Sequence, residues 1–489
     1  MSNRRVVLHR PSGPTLKRVH CAATTIRKRR AMTRNRTTEG YQMLKASIRA
    51  SVGVALAAGA MLSVSAANAA SYLIVGNQSL PKNLSAQVDK AGGTLTARYP
   101  FGLAVAESDN PDFAASIAGV RFVVEDIGFV AEAPTMEIGA EAGYPPNSGD
   151  DDFFFDLQWG HNYVGAQNAW NAGVRGQGVR VAVLDGGFDL DHPDLAPNIN
   201  LALSADFTGE GLEYGLPDPF SHGTHVAGTI AAADNAFGTI GVAPEAERVL
   251  VKVLGDSGSG SFADVIAGIY HAAMVDADVM NMSLGAVIPR SNKDQDPGYA
   301  AGISALANAV SQAMSWARQR GTLVIVSAGN AGSDLDGDGS IVRFNNGLSG
   351  AVGISALTTL NWASQIPGEN ESLVPASYTN YGTSQVEFSA PGGSVDYPGN
   401  EGCVVAGLAR PCWVFDLVFS TGNGSWYWSA GTSMAAPHAA GVAALIISEN
   451  GGSMKPAQVE AQMRMRGIDL GKPGADDFFG RGGQVSSGY

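Results

Sequence analysis

Apolar positions along this chain follow two patterns. Six short runs, Val179–Leu184, Val249–Val253, Val279–Met282, Leu323–Val326, Val352–Ala356 and Val386–Phe388, are almost continuously apolar and mostly rich in Val, Ile or Leu. Runs of this kind predict strands buried on both faces. Between and after them, His222–Ala232, Phe262–Met274, Ile303–Arg320, Ser433–Ser448 and Pro456–Met465 carry helical spacing. Strands alternating with helices predict a parallel sheet covered on both sides, an α/β fold over residues 153–489.

The stretch before it has another rhythm. Over 70–134, strand-like Tyr72-Leu73-Ile74-Val75 is followed by a helical Asn83–Ala91 and a Gly92-Gly93 turn. A further strand centres on Leu103-Ala104-Val105, then a helix over Asp112–Ile117 leads to the run Val120–Asp126. The order β-α-β-β-α-β predicts a small ferredoxin-like α+β unit. Residues 135–152, rich in Gly, Glu, Pro and Asn and ending in Asp150-Asp151-Asp152, read as a solvated linker and as the place for a maturation cut.

Residues 43–69 have the order of a secretory signal: Lys45 and Arg49, an apolar Ser51–Val64, then Ala67-Asn68-Ala69. The apolar stretch is short for a membrane span. This predicts export, to the medium or the periplasm, with no membrane attachment once the signal is removed. Met43 is then the expected start, and residues 1–42 a basic extension from a misassigned start or a long leader.

Charge sharpens the picture. The chain carries a formal −13, yet 1–42 hold eleven Lys/Arg against Glu39 alone, which leaves −23 on residues 43–489. So acidic a body argues against a nucleic-acid partner and for a soluble monomer. Cys403 and Cys412, close together in an exported chain, are expected to form a local disulfide, while Cys21 precedes the signal.

Three strings carry chemistry. Ser221-His222-Gly223-Thr224-His225-Val226-Ala227-Gly228 offers a histidine at a helix start, and Gly431-Thr432-Ser433-Met434-Ala435-Ala436-Pro437-His438 offers a serine there. Asp185 closes the first apolar run. A serine is a weak nucleophile until a base takes its proton and an acid orients that base. Asp, His and Ser in this chain order is the arrangement that subtilisin exemplifies. On these strings the chain resembles the subtilisin-like serine proteases, the subtilases or peptidase S8 family.

The resemblance implies a subtilisin-like parallel sheet flanked by helices, behind a propeptide that folds first and inhibits until it is cut away. It implies a secreted endopeptidase that matures itself and cuts proteins and peptides through an acyl-enzyme, with no cofactor in the chemistry. Ser433 would be the nucleophile, His222 the base and Asp185 its orienting acid. Asn330, in Ser327-Ala328-Gly329-Asn330, would donate to the oxyanion. Asn281-Met282-Ser283-Leu284-Gly285 and Leu254-Gly255-Asp256-Ser257-Gly258-Ser259-Gly260 resemble the two edges that hold substrate. Their substrate residues would be Ser283, Leu284, Gly285, Gly258, Ser259 and Gly260.

Some features depart from the family pattern. Gly186 stands where a hydroxyl residue is usual after the aspartate, which predicts a less firmly held Asp185. Ala286–Ala301 and Gly399–Gly424 look like insertions flanking the substrate side, and the final helix common in the family is missing. Asp334, Asp336 and Asp338 alternate like the first half of a calcium loop, although the twelfth position is Asn345 rather than Glu. A structural calcium and a solvated acidic turn both fit that string. Two other functions stand beside the general protease: an inactive subtilase fold used as a binding module, and a processing enzyme for one partner protein.

Overall fold

The computed structural model describes residues 69–140, 151–290, 299–336, 340–344, 348–364 and 373–489. The basic extension, and the signal segment except for Ala69, lie outside that set. No helix of the described residues is long and apolar enough to cross a membrane.

The first unit is β1 (Ala70–Val75), α1 (Leu84–Lys90), β2 (Gly93–Tyr99), β3 (Leu103–Ser108), α2 (Phe113–Ser116) and β4 (Phe122–Glu125). Its four strands run in the order β2-β3-β1-β4, with every pairing antiparallel. That is the order of a ferredoxin-like sheet, closed on one face by Leu84, Val88 and Phe113. The other face is apolar too: Leu73, Val75, Leu103 and Val105 pack into a core shared with two helices of the larger unit. Beyond β4 the chain forms two further strands, β5 (Gly128–Val130) and β6 (Met136–Ala140). The expected solvated linker is therefore structured at its start, because β6 pairs with a strand of the larger unit.

The larger unit is built on β7 (Arg180–Asp185), β8 (Ala205–Asp206), α3 (His222–Ala231), β9 (Glu247–Lys252), β10 (Ser259–Ser261), α4 (Phe262–Met274), β11 (Val279–Met282) and β12 (Ala286–Pro289). It continues with α5 (Tyr299–Arg320), β13 (Leu323–Ser327), β14 (Ile341–Phe344), β15 (Val352–Thr358), β16 (Val374–Pro375) and β17 (Phe388–Pro391). Last come β18 (Gly402–Val405), β19 (Leu408–Pro411), β20 (Val418–Gly422), β21 (Ser425–Ala430), α6 (Thr432–Glu449) and α7 (Pro456–Arg466). The main sheet runs β16-β15-β13-β11-β7-β9-β8, with β17 also on β15. All its pairings are parallel except that of β16.

Side chains alternate across a strand, so each run feeds two cores. Val181 and Val183 meet α3 and α6 on one side, while Ala182 and Leu184 meet α4 and α5 on the other. Each Val or Leu buried this completely contributes about 1.5–3 kcal/mol.

Of the two insertions, Ala286–Ala301 is described in part and Gly399–Gly424 throughout. β12 pairs with β14 beside the catalytic edge, and residues 291–298 lie outside the described set. Gly399–Gly424 forms the β18–β19 hairpin and β20, and the Cys403–Cys412 disulfide joins the hairpin to the turn after it. The chain closed by that bond is short, so replacing both cysteines by serine is expected to cost roughly 2–3 kcal/mol. A shift of the urea unfolding midpoint with unchanged slope would measure it.

Candidate active site

In a parallel sheet the ligand-binding crevice lies past the C-terminal strand ends. Here β13, β11 and β7 are neighbours, and Asn330, Ser283 and Asp185 stand at or just past their ends. Two helices complete the edge. The Ser221 side chain accepts from Thr224 N at 3.3 Å and caps α3, which places His222 at its first position. α6 starts from Gly431, with Ser433 in its first turn.

Asp185 is 1% exposed, and its Oδ1 accepts from His222 Nδ1 at 2.8 Å and from Gly186 N at 2.7 Å. Its Oδ2 is buried without a hydrogen-bond partner among the described residues. Burial pushes the His222 imidazole down, but the charge and hydrogen bond of Asp185, with a smaller effect from Glu137, raise it above its ordinary value.

Ser433 is buried at 3% exposure. Its Oγ donates to the Ser283 carbonyl at 3.2 Å, and Ser283 Oγ donates to the Ser433 carbonyl at 2.8 Å. His222 Nε2 has no hydrogen-bond partner among the described residues, so the serine–histidine bond is not made in this arrangement. Such bonds often tighten only when substrate is bound.

Asn330 is pinned by its oxygen: Thr432 N and Thr432 Oγ1 donate to Oδ1 at 2.9 and 2.8 Å. Its Nδ2 therefore faces the cleft, where it donates to the Ala133 carbonyl at 3.3 Å. Gly329, with φ +97°, makes the turn that presents it, and a Cβ there would lie 2.4 Å from Asn380 Nδ2.

The remaining sequence candidates meet one partner, the chain's own residues 128–134. Val130 and Phe129 of β5 lie opposite Ser259 and Gly260 of β10. Ala131 N donates to Gly258 O at 2.9 Å, and Glu132 N donates to Gly285 O at 3.1 Å. Leu284 lines the pocket beside Ser433. Phe129 is buried against Phe262, with ring centroids 5.0 Å apart. Beyond the reacting centre, Thr135 N donates to Ala430 O at 2.8 Å and β6 pairs with β21. The segment thus crosses the whole cleft, held main chain to main chain.

Sequence reasoning did not single out Glu132, Glu137 or Arg343. The alternation around Phe129-Val130 and the small residues Ala131 and Ala133 were a weak signal for an extended, bound segment. Of the two insertions, only Ala286–Ala301 contributes to the pocket beside Ser433, through Ala286 and Val287; Gly399–Gly424 lines neither wall.

The acidic candidates separate. Asp336 accepts from Thr383 Oγ1 and Ser384 N at 3.1 and 3.0 Å, and Asp334 Oδ1 accepts from Asp336 N at 2.8 Å. Both are spent on the protein itself, and Asp338 and Asn345 lie outside the described residues. Among the described residues, carboxylates gather instead at Asp151, Asp152 and Asp234 and at Asp189, Asp191 and Glu213. Oxygen sets of this kind suit a hard cation such as calcium.

The profile of the subtilase family matches residues 176–482. The chain belongs to that family. Among relatives of this subtilase, a thermostable alkaline protease of Halalkalibacterium halodurans is 35% identical over 311 residues, 63% of this chain and 66% of that protein's length. Subtilisin Savinase of Lederbergia lenta is 35% identical over 64% of this chain and 93% of its own. A crystal structure of a lanthipeptide protease superposes with a TM-score of 0.55 at 27% identity, covering 71% of this chain and 98% of that one. The epidermin leader peptide processing serine protease of Staphylococcus aureus reaches 0.65 at 19% identity over 86% of this chain and 97% of its own, a likeness of fold.

Proposed function

We propose that this subtilase is a secreted serine endopeptidase that matures by removing residues up to the crossing segment. The observation that carries the reading is one cleft holding the Asp185–His222 hydrogen bond, Ser433 and the Asn330 amide, with an extended peptide paired on both walls. In the reaction, Ser433 Oγ attacks the carbonyl carbon while His222 Nε2 takes its proton. The C–N bond then breaks, and His222 returns the proton to the leaving amine. Water, deprotonated by His222, hydrolyses the acyl-enzyme and frees the serine. Asn330 Nδ2 and the N–H groups at the start of α6 meet the developing oxyanion.

The first unit acts as the propeptide and occludes the site through 128–134. The maturation bond lies at this crossing, before the stretch that composition pointed to. Calcium, where it binds, is structural, and Asp189, Asp191 and Glu213 bring three carboxylates within reach of one ion.

Intact mass, casein digestion and capture by a fluorophosphonate probe test the reading. A chain that loses the propeptide mass, digests casein and is labelled at Ser433 supports it. A full-length chain that is neither active nor labelled favours the binding-module reading.

The pH profile supplies a second check. Protonated His222 cannot accept the serine proton, so the rate falls as pH drops through its pKa. The Glu137 carboxylate stabilises the imidazolium. In the chain carrying β6, Glu137→Gln is therefore expected to move the acid limb to lower pH. An unmoved limb would show that Glu137 does not act on the base.

A further inference from the structure

The pocket beside Ser433 is lined by apolar residues such as Leu284 and Ala328, by uncharged polar ones such as Ser327 and Asn380, and by two charged residues, Glu132 and Arg343. We propose that this pocket selects an acidic side chain, that the enzyme cuts next to glutamate, and that Arg343 is the specificity-determining residue. The inference rests on the proteolytic reading above and assigns that site its substrate class.

Glu132 arrives as part of the crossing segment, its N–H held by Gly285 O at 3.1 Å, so its place is set by strand pairing. Its Oε2 accepts from Asn330 N at 2.9 Å. A backbone N–H aimed into a pocket wall serves an anion and gives nothing to an aliphatic side chain. Gly329 keeps that N–H within reach, because a Cβ there would lie 2.9 Å from Glu132 Oε2.

Arg343 supplies the charge. It lies on β14 opposite Val287 of β12, and that antiparallel pair, made by segments some fifty residues apart, brings it to the pocket. Its Nε is buried with no hydrogen-bond partner among the described residues. A half-buried guanidinium with an unpartnered nitrogen favours an anionic occupant over an isosteric neutral one, since removing the partner charge leaves a desolvated cation. Glu132 and Arg343 form no ion pair within 4 Å in this arrangement, and a cleavable substrate has that partner open to it.

The test uses two synthetic peptides with the sequence of residues 128–137, one native and one with Glu132→Gln. They compete against casein on the purified enzyme once its mass is constant. Each is read as kcat/KM if cut and as an inhibition constant if not. The native peptide is expected to be favoured about 10–100-fold, the scale of a hydrogen bond to a charged group. In the Arg343→Gln enzyme the ratio should collapse toward one, and Arg343→Lys should restore most of it. A wild-type ratio of one or below, or a preference unchanged by Arg343→Gln, overturns the proposal while casein is still digested. Should Arg343→Gln fail to fold, the wild-type ratio alone decides. No casein digestion and no fluorophosphonate capture would sink the protease reading, and the pocket assignment with it.

Discussion

The Ser433→Ala variant is expected to lose about 10⁶-fold in kcat, the scale seen in subtilisin when its own serine is removed. The argument is local. Ser433 Oγ makes one hydrogen bond, to the Ser283 carbonyl, and the rest of its surroundings are the Ala-rich start of α6. Alanine fits there with nothing displaced, so the loss should appear in turnover and not in stability. The Ser283 carbonyl loses a donor, which costs on the order of 1 kcal/mol. A thermal midpoint within a few degrees of wild type, with no casein digestion and no propeptide removal, is the expected pair of results. Wild-type turnover in the variant would exclude Ser433 as the nucleophile. What remains, about 10³–10⁴ over water, comes from the oxyanion donors and binding.

Asn330→Ala is expected to lower kcat by about 10²–10³, again a magnitude that comes from subtilisin itself. Thr432 holds Oδ1 with two donors, so the amide is oriented before substrate arrives, and Nδ2 already meets a carbonyl, that of Ala133. A preorganised donor of this kind acts most on the charge that develops in the transition state. The fall should therefore lie in kcat with KM little changed. A rise in KM at constant kcat would instead make Asn330 a ground-state binding group.

The family and the fold class were legible because each rests on local pattern. Six near-continuous apolar runs read as strands buried on both faces, and they correspond closely to β7, β9, β11, β13, β15 and the start of β17. The alternation that sends Val181 one way and Ala182 the other needs no tertiary information. His222, Ser433 and Asn330 sit in strings rich in Gly, Ala, Ser and Thr, while Asp185 closes an apolar run.

What pattern could not reach involved partners distant in sequence. Residues 135–152 read as solvent-exposed by composition, yet Met136–Ala140 is a strand, since β21, almost 300 residues later, supplies its hydrogen bonds. The unpartnered, buried Oδ2 of Asp185 shows only once the cleft is assembled. Arg343 carried no signal in the sequence, and only the pairing of β14 with β12 brings it into the lining of the pocket beside Ser433.

By itself, then, the sequence determined a parallel α/β subtilase, because helix and strand periods and Gly-rich helix starts are written in neighbouring residues. Only the tertiary structure decided that residues 128–134 run along the cleft and that Glu132 and Arg343 line one pocket with Ser433. Strand addition and charge placement are contacts between segments whose separation in the chain carries no local signal.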